Sequence, residues 1–590
     1  MHGFHGRILT VDLTARTADV RELTEADAAL LGGKGLAARL LPALVPPGAD
    51  PLGPENAVIF ACGPLTGSRA WGAARYGVFT ISPLTGGWLE SYSGGRTPEA
   101  IDAAGYDAVV LTGAADGLTL VKITPEGCTL HDAGAMRGMS AYEAEEHALA
   151  RADTDKGVKK GAAVIGPAGE ARVPFAIIAN DRWRCCGRGG TGAVLGSKNV
   201  KAVLFTGDRI RPLADPEGLA TWAGAFRDDS RDNPGVKAYR ARGTTQMVAL
   251  MNTAGAFPAR YWRQGTCEHW EAIGGDAMHQ EHRVTPHACP KCFMACGRKT
   301  TITGGEHDGL RIGGPEYETI YAFGGLCMIE DMADIAHLND VCDRVGLDTI
   351  SAGNLCALAM EASEQGRLDH PIAYGDADAC ARLIEDMAAG RGLGAVLGKG
   401  IAAAARELGL EDLAVHVKGM EPPGYDPRVL KGMGLTYAVS DRGACHLRTT
   451  FYKPELAGMI PPDQLDGKAE MLVDFEDRLT IFDTLILCRF FRDLYTWEQL
   501  ATVVELACGL GLDEDGLRAV AADIRDATRR INQARGVTAR ADRLPARLTA
   551  EALPSGHAIS RADMDRLLAD YYRLRGWDAS GKAPERETQR

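Results

Sequence analysis

Hydrophobic and polar positions change period once along the chain. Up to about residue 207 the apolar runs are short and alternating, at 7–13, 57–62, 108–112, 118–123, 162–165, 173–179 and 200–206, with Gly, Pro, Asn and Asp between them. That pattern predicts strands separated by tight turns. Two stretches, 24–41 and 141–151, carry helical spacing instead. Beyond Pro212 the period becomes about 3.6. Helices are predicted at 219–228, 332–344, 349–365, 377–389, 397–408, 472–489, 497–508 and 514–533. The fold class is therefore α+β, a β-rich N-terminal domain of two sheets (1–208) followed by two mainly helical domains (209–412 and 413–590). The second boundary follows the Gly-, Pro- and Asp-rich segment 409–427.

Composition narrows the function. The 65 basic and 78 acidic residues of the 590-residue chain give a net charge of −13, which argues against a nucleic-acid binder. No apolar run reaches the ~18 residues of a membrane span, and the charged N-terminus does not read as a signal peptide, so a soluble cytoplasmic protein is expected. Glycine, at 71 residues, makes up about 12% against a usual ~7%. Backbone must therefore turn sharply or approach something closely at many points. Fifteen cysteines, an odd number spread over a long chain, do not resemble a disulfide scaffold and point toward metal.

The strongest local signal is His287-Ala-Cys289-Pro-Lys-Cys292-Phe-Met-Ala-Cys296-Gly297. Three thiols at C-x2-C-x3-C can reach one centre from a helix or a loop, and such soft ligands suit an iron–sulfur cluster or zinc. Spacing does not choose the fourth ligand among Cys267, Cys327, Cys342, Cys445 and Cys488. The run Gly187 to Gly192 matches G-x-G-x-x-G but follows the polar segment 180–184, which makes a dinucleotide loop a weak reading. Its neighbours Arg75, Arg184 and Arg188 favour an anionic or polar heterocyclic ligand. Glu316 and Glu318 are candidate acid/base groups or a helix N-terminus, and His446 is a candidate hydrogen-bond donor. His337 and Asp340 share a helix face, a geometry more often surface than metal.

Together with Gly6-Arg7-Ile8-Leu9-Thr10-Val11-Asp12-Leu13, Gly63-Pro64-Leu65-Thr66-Gly67, Ser82-Pro83-Leu84-Thr85-Gly86 and the closing Tyr571-Tyr572-Arg573-Leu574-Arg575-Gly576-Trp577, these motifs give a chain that resembles the aldehyde ferredoxin oxidoreductases nearly end to end. The resemblance implies a tungsten bis-pterin (tungstopterin), with molybdenum as the alternative metal, a [4Fe-4S] cluster, and Mg2+ bridging the pterin phosphates. It implies cluster ligands Cys289, Cys292, Cys296 and the distant Cys488. It implies pterin contacts from Arg75, Ser93, Gly94, Arg184, Cys185, Gly187 and Arg188, and from two companion motifs, one with Asp343, Gly346, Leu347 and Asp348, the other with Asp483, Leu487 and Arg489. Three positions depart from the pattern: Tyr92 stands where the family usually has Asn, Cys185 where it often has Ala, and Ile486 where its motif has Gly. The resemblance assigns Glu318 as acid/base and His446 as donor to an aldehyde carbonyl, oxidised to a carboxylic acid. Electrons would leave through the cluster to ferredoxin or to an iron–sulfur or flavin subunit, in a homodimer or larger complex. His337 and Asp340 replace the family's inter-subunit iron pair, so that iron is not expected. Phe257, Tyr317, Phe323 and Tyr452 are expected to line the substrate pocket. The rival readings are an aromatic-thioester reductase of the same family and a zinc-stabilised binding protein.

Overall fold

The computed structural model describes residues 1–152 and 155–585. Two six-stranded sheets form the N-terminal part. The first contains β1 (Arg7–Asp12), β2 (Thr17–Glu22), β3 (Val58–Ala61), β4 (Arg75–Ile81), β5 (Trp88–Gly94) and β6 (Ala108–Thr112), in the order β2-β1-β6-β3-β4-β5. The second contains β7 (Thr119–Thr124), β8 (Gly127–Asp132), β9 (Lys159–Val164), β10 (Ile178–Asn180), β11 (Arg184–Cys186) and β12 (Val200–Gly207), in the order β11-β10-β9-β12-β7-β8. Each sheet has one parallel pair, β1/β6 and β7/β12. Alternation drives the pairing of layers: Leu9, Val11, Phe60 and Val78 of one sheet meet Val121, Ile123, Val203 and Phe205 of the other in a common core.

The outer face of the first sheet is not left to its own domain. Ile8, Ile59 and Phe79 are covered by Leu479, Phe482 and Leu485 of helix Lys468–Leu485 and by helices Trp497–Cys508 and Glu514–Ala534. A larger helical core collects residues from 168 to 583. Glycine sets the closest approaches: a Cβ at Gly63 would lie 2.1 Å from the Leu485 carbonyl oxygen, and one at Gly33 would lie 2.4 Å from that of Thr484. Much of the glycine excess at this junction is thus contact space.

Several predicted elements are corrected. The stretch 24–41 is two helices, Glu25–Ala28 and Gly33–Leu44, because Leu31 and Gly32 have positive φ. Similarly, 397–408 breaks at Gly400 (φ 85°) into Gly392–Leu397 and Ile401–Leu408. Of 173–179 only the end is strand, β10. Helix 472–489 stops at Leu485, where Ile486 takes a left-handed conformation (φ 56°, ψ 45°). The run from Gly187 does emerge from a strand, β11, and opens helix Thr191–Ser197; the polar sequence of 180–184 hid the hairpin β10–β11.

Buried charges tie these parts together. Lys34 donates to Glu90 and to Asp441, each at 3.0 Å. Asp441 also pairs with Arg525, whose other nitrogen is 2.9 Å from Glu476. Stripping one partner from a fully desolvated pair costs about 3–5 kcal/mol, because the remaining charge stays buried. Arg525→Ala is therefore expected to destabilise by about that amount, read as a lower thermal-inactivation temperature; a loss below about 1 kcal/mol would contradict this role for the network.

Candidate functional site

The cysteine triplet sits in the loop of a hairpin. Strands Arg283–His287 and Gly297–Thr301 close on the pair His287 and Gly297, so the nine intervening residues form a loop rather than the alternative helical turn. Cys289, Cys292 and Cys296 line one cavity together with Cys488, which reaches it from the end of helix Lys468–Leu485. The cavity has a volume of about 250 Å³. The four thiols surround the cavity without closing on an ion-sized point. Arg75 Nη1 lies 3.9 Å from the Cys488 sulfur, and an added Cβ at Gly94 would lie 3.2 Å from that of Cys289.

None of the other fourth-ligand candidates lines this cavity. Cys267 contacts His269 Nε2 at 3.3 Å, Cys327 donates to the Gly353 carbonyl at 3.3 Å, and Cys342 is buried in the helical core. Cys445 accepts from Arg442 Nη2 at 3.0 Å.

Ile486 keeps the motif geometry despite replacing glycine. A β-branched residue with φ near 56° costs roughly 1–2 kcal/mol. Burying its side chain beside Gly33, 1% exposed, returns about 1.5–3 kcal/mol. Gly346 caps helix Met332–Val345 with the same left-handed turn (φ 82°, ψ 47°). The two companion segments are thus conformational twins, one ending in Leu347-Asp348 and the other in Leu487-Cys488.

A second cavity shares Arg75 and Tyr92 with the first, and is also lined by Gly187, Arg188, Arg442, His446, Arg448, Asp483, Leu487 and Arg489. Five guanidinium groups around one small space are not fully spent on protein. Arg442 Nε and Arg448 Nε and Nη2 are buried with no hydrogen-bond partner. An anionic ligand rich in acceptors fits that donor set. Asp483 accepts from Arg448 at 2.7 Å and forms an ion pair with Arg489 at 2.5 Å. Arg188 is held by Asp348 (3.0 Å) and by the carbonyls of Glu421 (2.9 Å) and Ala444 (3.1 Å).

Of the remaining predicted contacts, Ser93, Gly94, Arg184 and Cys185 line the cysteine cavity, and Asp343 lines neither cavity. Ser93 donates to Asn180 Oδ1 at 2.6 Å, and Asn180 returns a bond to the Gly94 carbonyl at 2.9 Å. Cys185 pairs in β11 with Ala179. Arg184 lines the cysteine cavity from β11. Tyr92 commits its hydroxyl to Glu90 Oε2 at 2.7 Å. Asp343 accepts from Asn339 at 2.9 Å, and burial, assisted by Asp340, pushes its carboxyl up to about 8.

Glu316 caps helix Tyr317–Ile320 and accepts from Thr244 at 2.5 Å, whereas Glu318 faces inward. The Gly424 N–H donates to Glu318 Oε2 at 3.0 Å, while Oε1 has no hydrogen-bond partner and stands 3.5 Å from His446 Nε2. Burial pushes the Glu318 carboxyl up to about 7, against the lowering effect of the Gly424 amide and Arg188. Burial, then Arg188 and Arg442, hold His446 well below the ordinary imidazole range, so it is neutral. Tyr425 stacks on Tyr452 (4.2 Å between ring centres) and lies 5.4 Å from His446, with Tyr317 5.5 Å away and Phe257 beyond it. Tyr425 was missed from sequence, where it lies in a Pro- and Gly-rich segment that reads only as a boundary.

His337 stacks on His307 (4.4 Å), while Asp340 pairs with Arg344 (2.9 Å) and accepts from Tyr142 (3.2 Å). The two residues serve different contacts.

Comparison with known proteins matches residues 8–207 to "Aldehyde ferredoxin oxidoreductase, N-terminal domain" and residues 223–590 to "Aldehyde ferredoxin oxidoreductase, domains 2 & 3". A tungsten-containing aldehyde ferredoxin oxidoreductase of Pyrococcus furiosus is 35% identical, covering 100% of this chain and 99% of the relative. One of Thermococcus kodakarensis is 34% identical over the same shares. An aliphatic sulfonate oxidoreductase WOR-like subunit of Pyrococcus furiosus is 26% identical, over 88% of this chain and 85% of its own. Among solved structures, the active site complex BamBC of benzoyl coenzyme A reductase shares the fold, with TM-score 0.86 at 23% identity, covering 99% of this chain and 96% of that one. With both domain descriptions matched in order across nearly the whole length, the chain belongs to the aldehyde ferredoxin oxidoreductase family.

Proposed function

We propose that the protein oxidises an aldehyde to a carboxylic acid and passes the electrons, through a [4Fe-4S] cluster held by Cys289, Cys292, Cys296 and Cys488, to a ferredoxin or an iron–sulfur or flavin subunit in the cytoplasm. The observation that carries this reading is the adjacency of three parts: the Glu318/His446 pair, an arginine-lined cavity with unspent donors, and a four-cysteine cavity joined to it at Arg75 and Tyr92. The relatives' tungsten extends to this chain as part of the proposal, carried on a bis-pterin, with Mg2+ between the pterin phosphates. Arg75, Arg184, Arg188, Asp343, Asp348, Asp483 and Arg489 would hold the pterins, with Ser93, Gly94, Cys185, Gly187, Gly346, Leu347 and Leu487 giving the close backbone approach. Tyr92, whose hydroxyl donates to Glu90, is not among the residues proposed to hold the Mg2+. When bound, the tungstopterin supplies a two-electron acceptor and the cluster a one-electron relay.

The chain's own residues handle the proton. Neutral His446 can donate one hydrogen bond to a substrate carbonyl oxygen, withdrawing charge from the carbon to be attacked. Glu318, with an unpartnered oxygen, is placed to accept the proton released when oxygen is added at that carbon. Tyr317, Tyr425 and Tyr452 exclude bulk water and offer ring faces to the aldehyde's substituent.

Since Glu318 must be a carboxylate to act as base, and its carboxyl ionises near 7, kcat/KM with an aldehyde and a viologen dye is expected to rise with pH through about 7. His446, already neutral, adds no further step in that window. Glu318→Gln should keep its metal content and lose about 10²–10⁴-fold in kcat; full turnover in this variant rules out the assignment. Cys488→Ala should lose iron and the visible cluster absorbance, whereas Cys267→Ala and Cys327→Ala should retain both. An unchanged iron count in Cys488→Ala removes it from the ligand set.

A further inference from the structure

The chain carries 13 more acidic than basic residues, yet the surface beside the cysteine cavity has the opposite sign. A groove runs past the backbone on either side of Cys289, bounded by His287, Ala288 and Pro290 on one wall and by Arg96, Lys159, Lys160 and Arg182 on the other. These four cationic side chains are all exposed. Lys159 and Lys160 stand at the start of β9, opposite Gly207 and Thr206 of β12, so strand pairing fixes their backbone. The acidic groups nearby do not cancel this charge. Asp181 turns its carboxylate inward, accepting from the backbone N–H of Arg96 at 2.6 Å and of Thr97 at 3.0 Å. Glu99 is shared at long range by Lys159 (3.8 Å) and Lys291 (3.5 Å), and Arg182 meets Glu146 at 3.1 Å on the open surface.

A second depression adjoins the first, sharing Glu99 and Lys159 with it, and adds Arg209, Lys291 and Ile210 together with one exposed carboxylate, Asp208, so that cations still outnumber acids across the two. Ile210 is 89% exposed, the most exposed of the large apolar side chains among the described residues. An apolar side chain set among cations, next to the redox cavity, has the make-up of a protein contact: charge steers the partner in and the apolar group anchors it.

Resting on the function proposed above, we infer that this face is the docking site of a small acidic iron–sulfur protein, and that Cys289 is the ligand through which electrons leave. Each transfer moves one electron: the reduced cluster is oxidised by one, the partner's cluster is reduced by one, and no bond forms or breaks. Cys289 stands in sequence between Ala288 and Pro290 of the groove wall and itself lines the cysteine cavity, so a partner seated in the groove approaches the cluster from that side. The chain's net charge of −13 opposes a like-charged carrier, so this cationic face is the favoured approach.

The test uses the metal-loaded full-length enzyme, an aldehyde, and two acceptors: an acidic 2[4Fe-4S] ferredoxin and a small viologen dye. The variants are Lys159→Glu with Lys160→Glu, Ile210→Ser, and Lys399→Glu as a control on the remote helix-linking loop. For the wild type, ferredoxin reduction should slow as ionic strength rises, and dye reduction should not. The double variant should lose about tenfold or more in kcat/KM for ferredoxin at low salt, with a flattened salt dependence. Ile210→Ser should raise the KM for ferredoxin without changing that salt dependence. Dye reduction and iron content should be unchanged in all three variants, and ferredoxin reduction unchanged in Lys399→Glu. Wild-type ferredoxin kinetics in the double variant, with dye reduction intact, overturn the docking site. Absence of aldehyde-dependent dye reduction in the wild type would instead overturn the function on which it rests.

Discussion

Charge placed out of reach of water is the constraint on which the structure depends. Lys34 and Glu90 of the N-terminal part, Asp441 and Arg448 of the segment that carries His446, and Glu476, Asp483 and Arg525 of the last helices form one buried ionic network. Arg575 of the final helix joins it through Glu476 and, at 2.6 Å, Asp477. Desolvating each ion costs several kcal/mol, so the network is stable only if every member meets its partners. That requirement fixes how the sheets and the helices sit on each other, more specifically than apolar contact could. Burial alone would raise the Glu90 carboxyl, yet Arg448 and Lys34 outweigh it and hold the group well below the usual range.

The same network sets the electrostatics of the site. Its cationic end, Arg448 with Arg442, Arg489, Arg188 and Arg75, opens on the second cavity with unspent donors. An anionic ligand would complete the pairing, and its binding would then be coupled to folding there. Burial, reinforced by the arginines, keeps His446 neutral, which leaves it a hydrogen-bond donor at neutral pH rather than a cation competing for Glu318. Glu318 is shifted the other way because burial dominates over its few donors. One environment thus prepares two groups for different tasks.

Much of this was legible in the sequence, and for identifiable reasons. The C-x2-C-x3-C spacing survives any local conformation, and the switch from period two to 3.6 marked the sheets and helices. Motif identity carried Cys488, which spacing alone left level with Cys267, Cys327, Cys342 and Cys445; only the folded chain separates them. Ile486 shows where residue type misleads: it adopts the glycine turn because burial compensates the strain. Strands β4, β5 and β11 lacked clean alternation, since Arg75, Ser93 and Arg184 stand there to meet the cavities rather than to fill a core. The role of Tyr425 depends on contacts with Tyr452, Tyr317 and His446, from distant segments, and no local signal could have shown it.

The central claim is that a metal-centred two-electron site and an iron–sulfur relay share the space these residues enclose. Elemental analysis of the purified protein, paired with aldehyde-dependent dye reduction on the same sample, tests it most directly. The account predicts about one tungsten, or molybdenum in its place, and about four iron per chain, with dye reduced only when aldehyde is present. Zinc alone at the cysteines, with no tungsten or molybdenum and no aldehyde-dependent reduction, would contradict it.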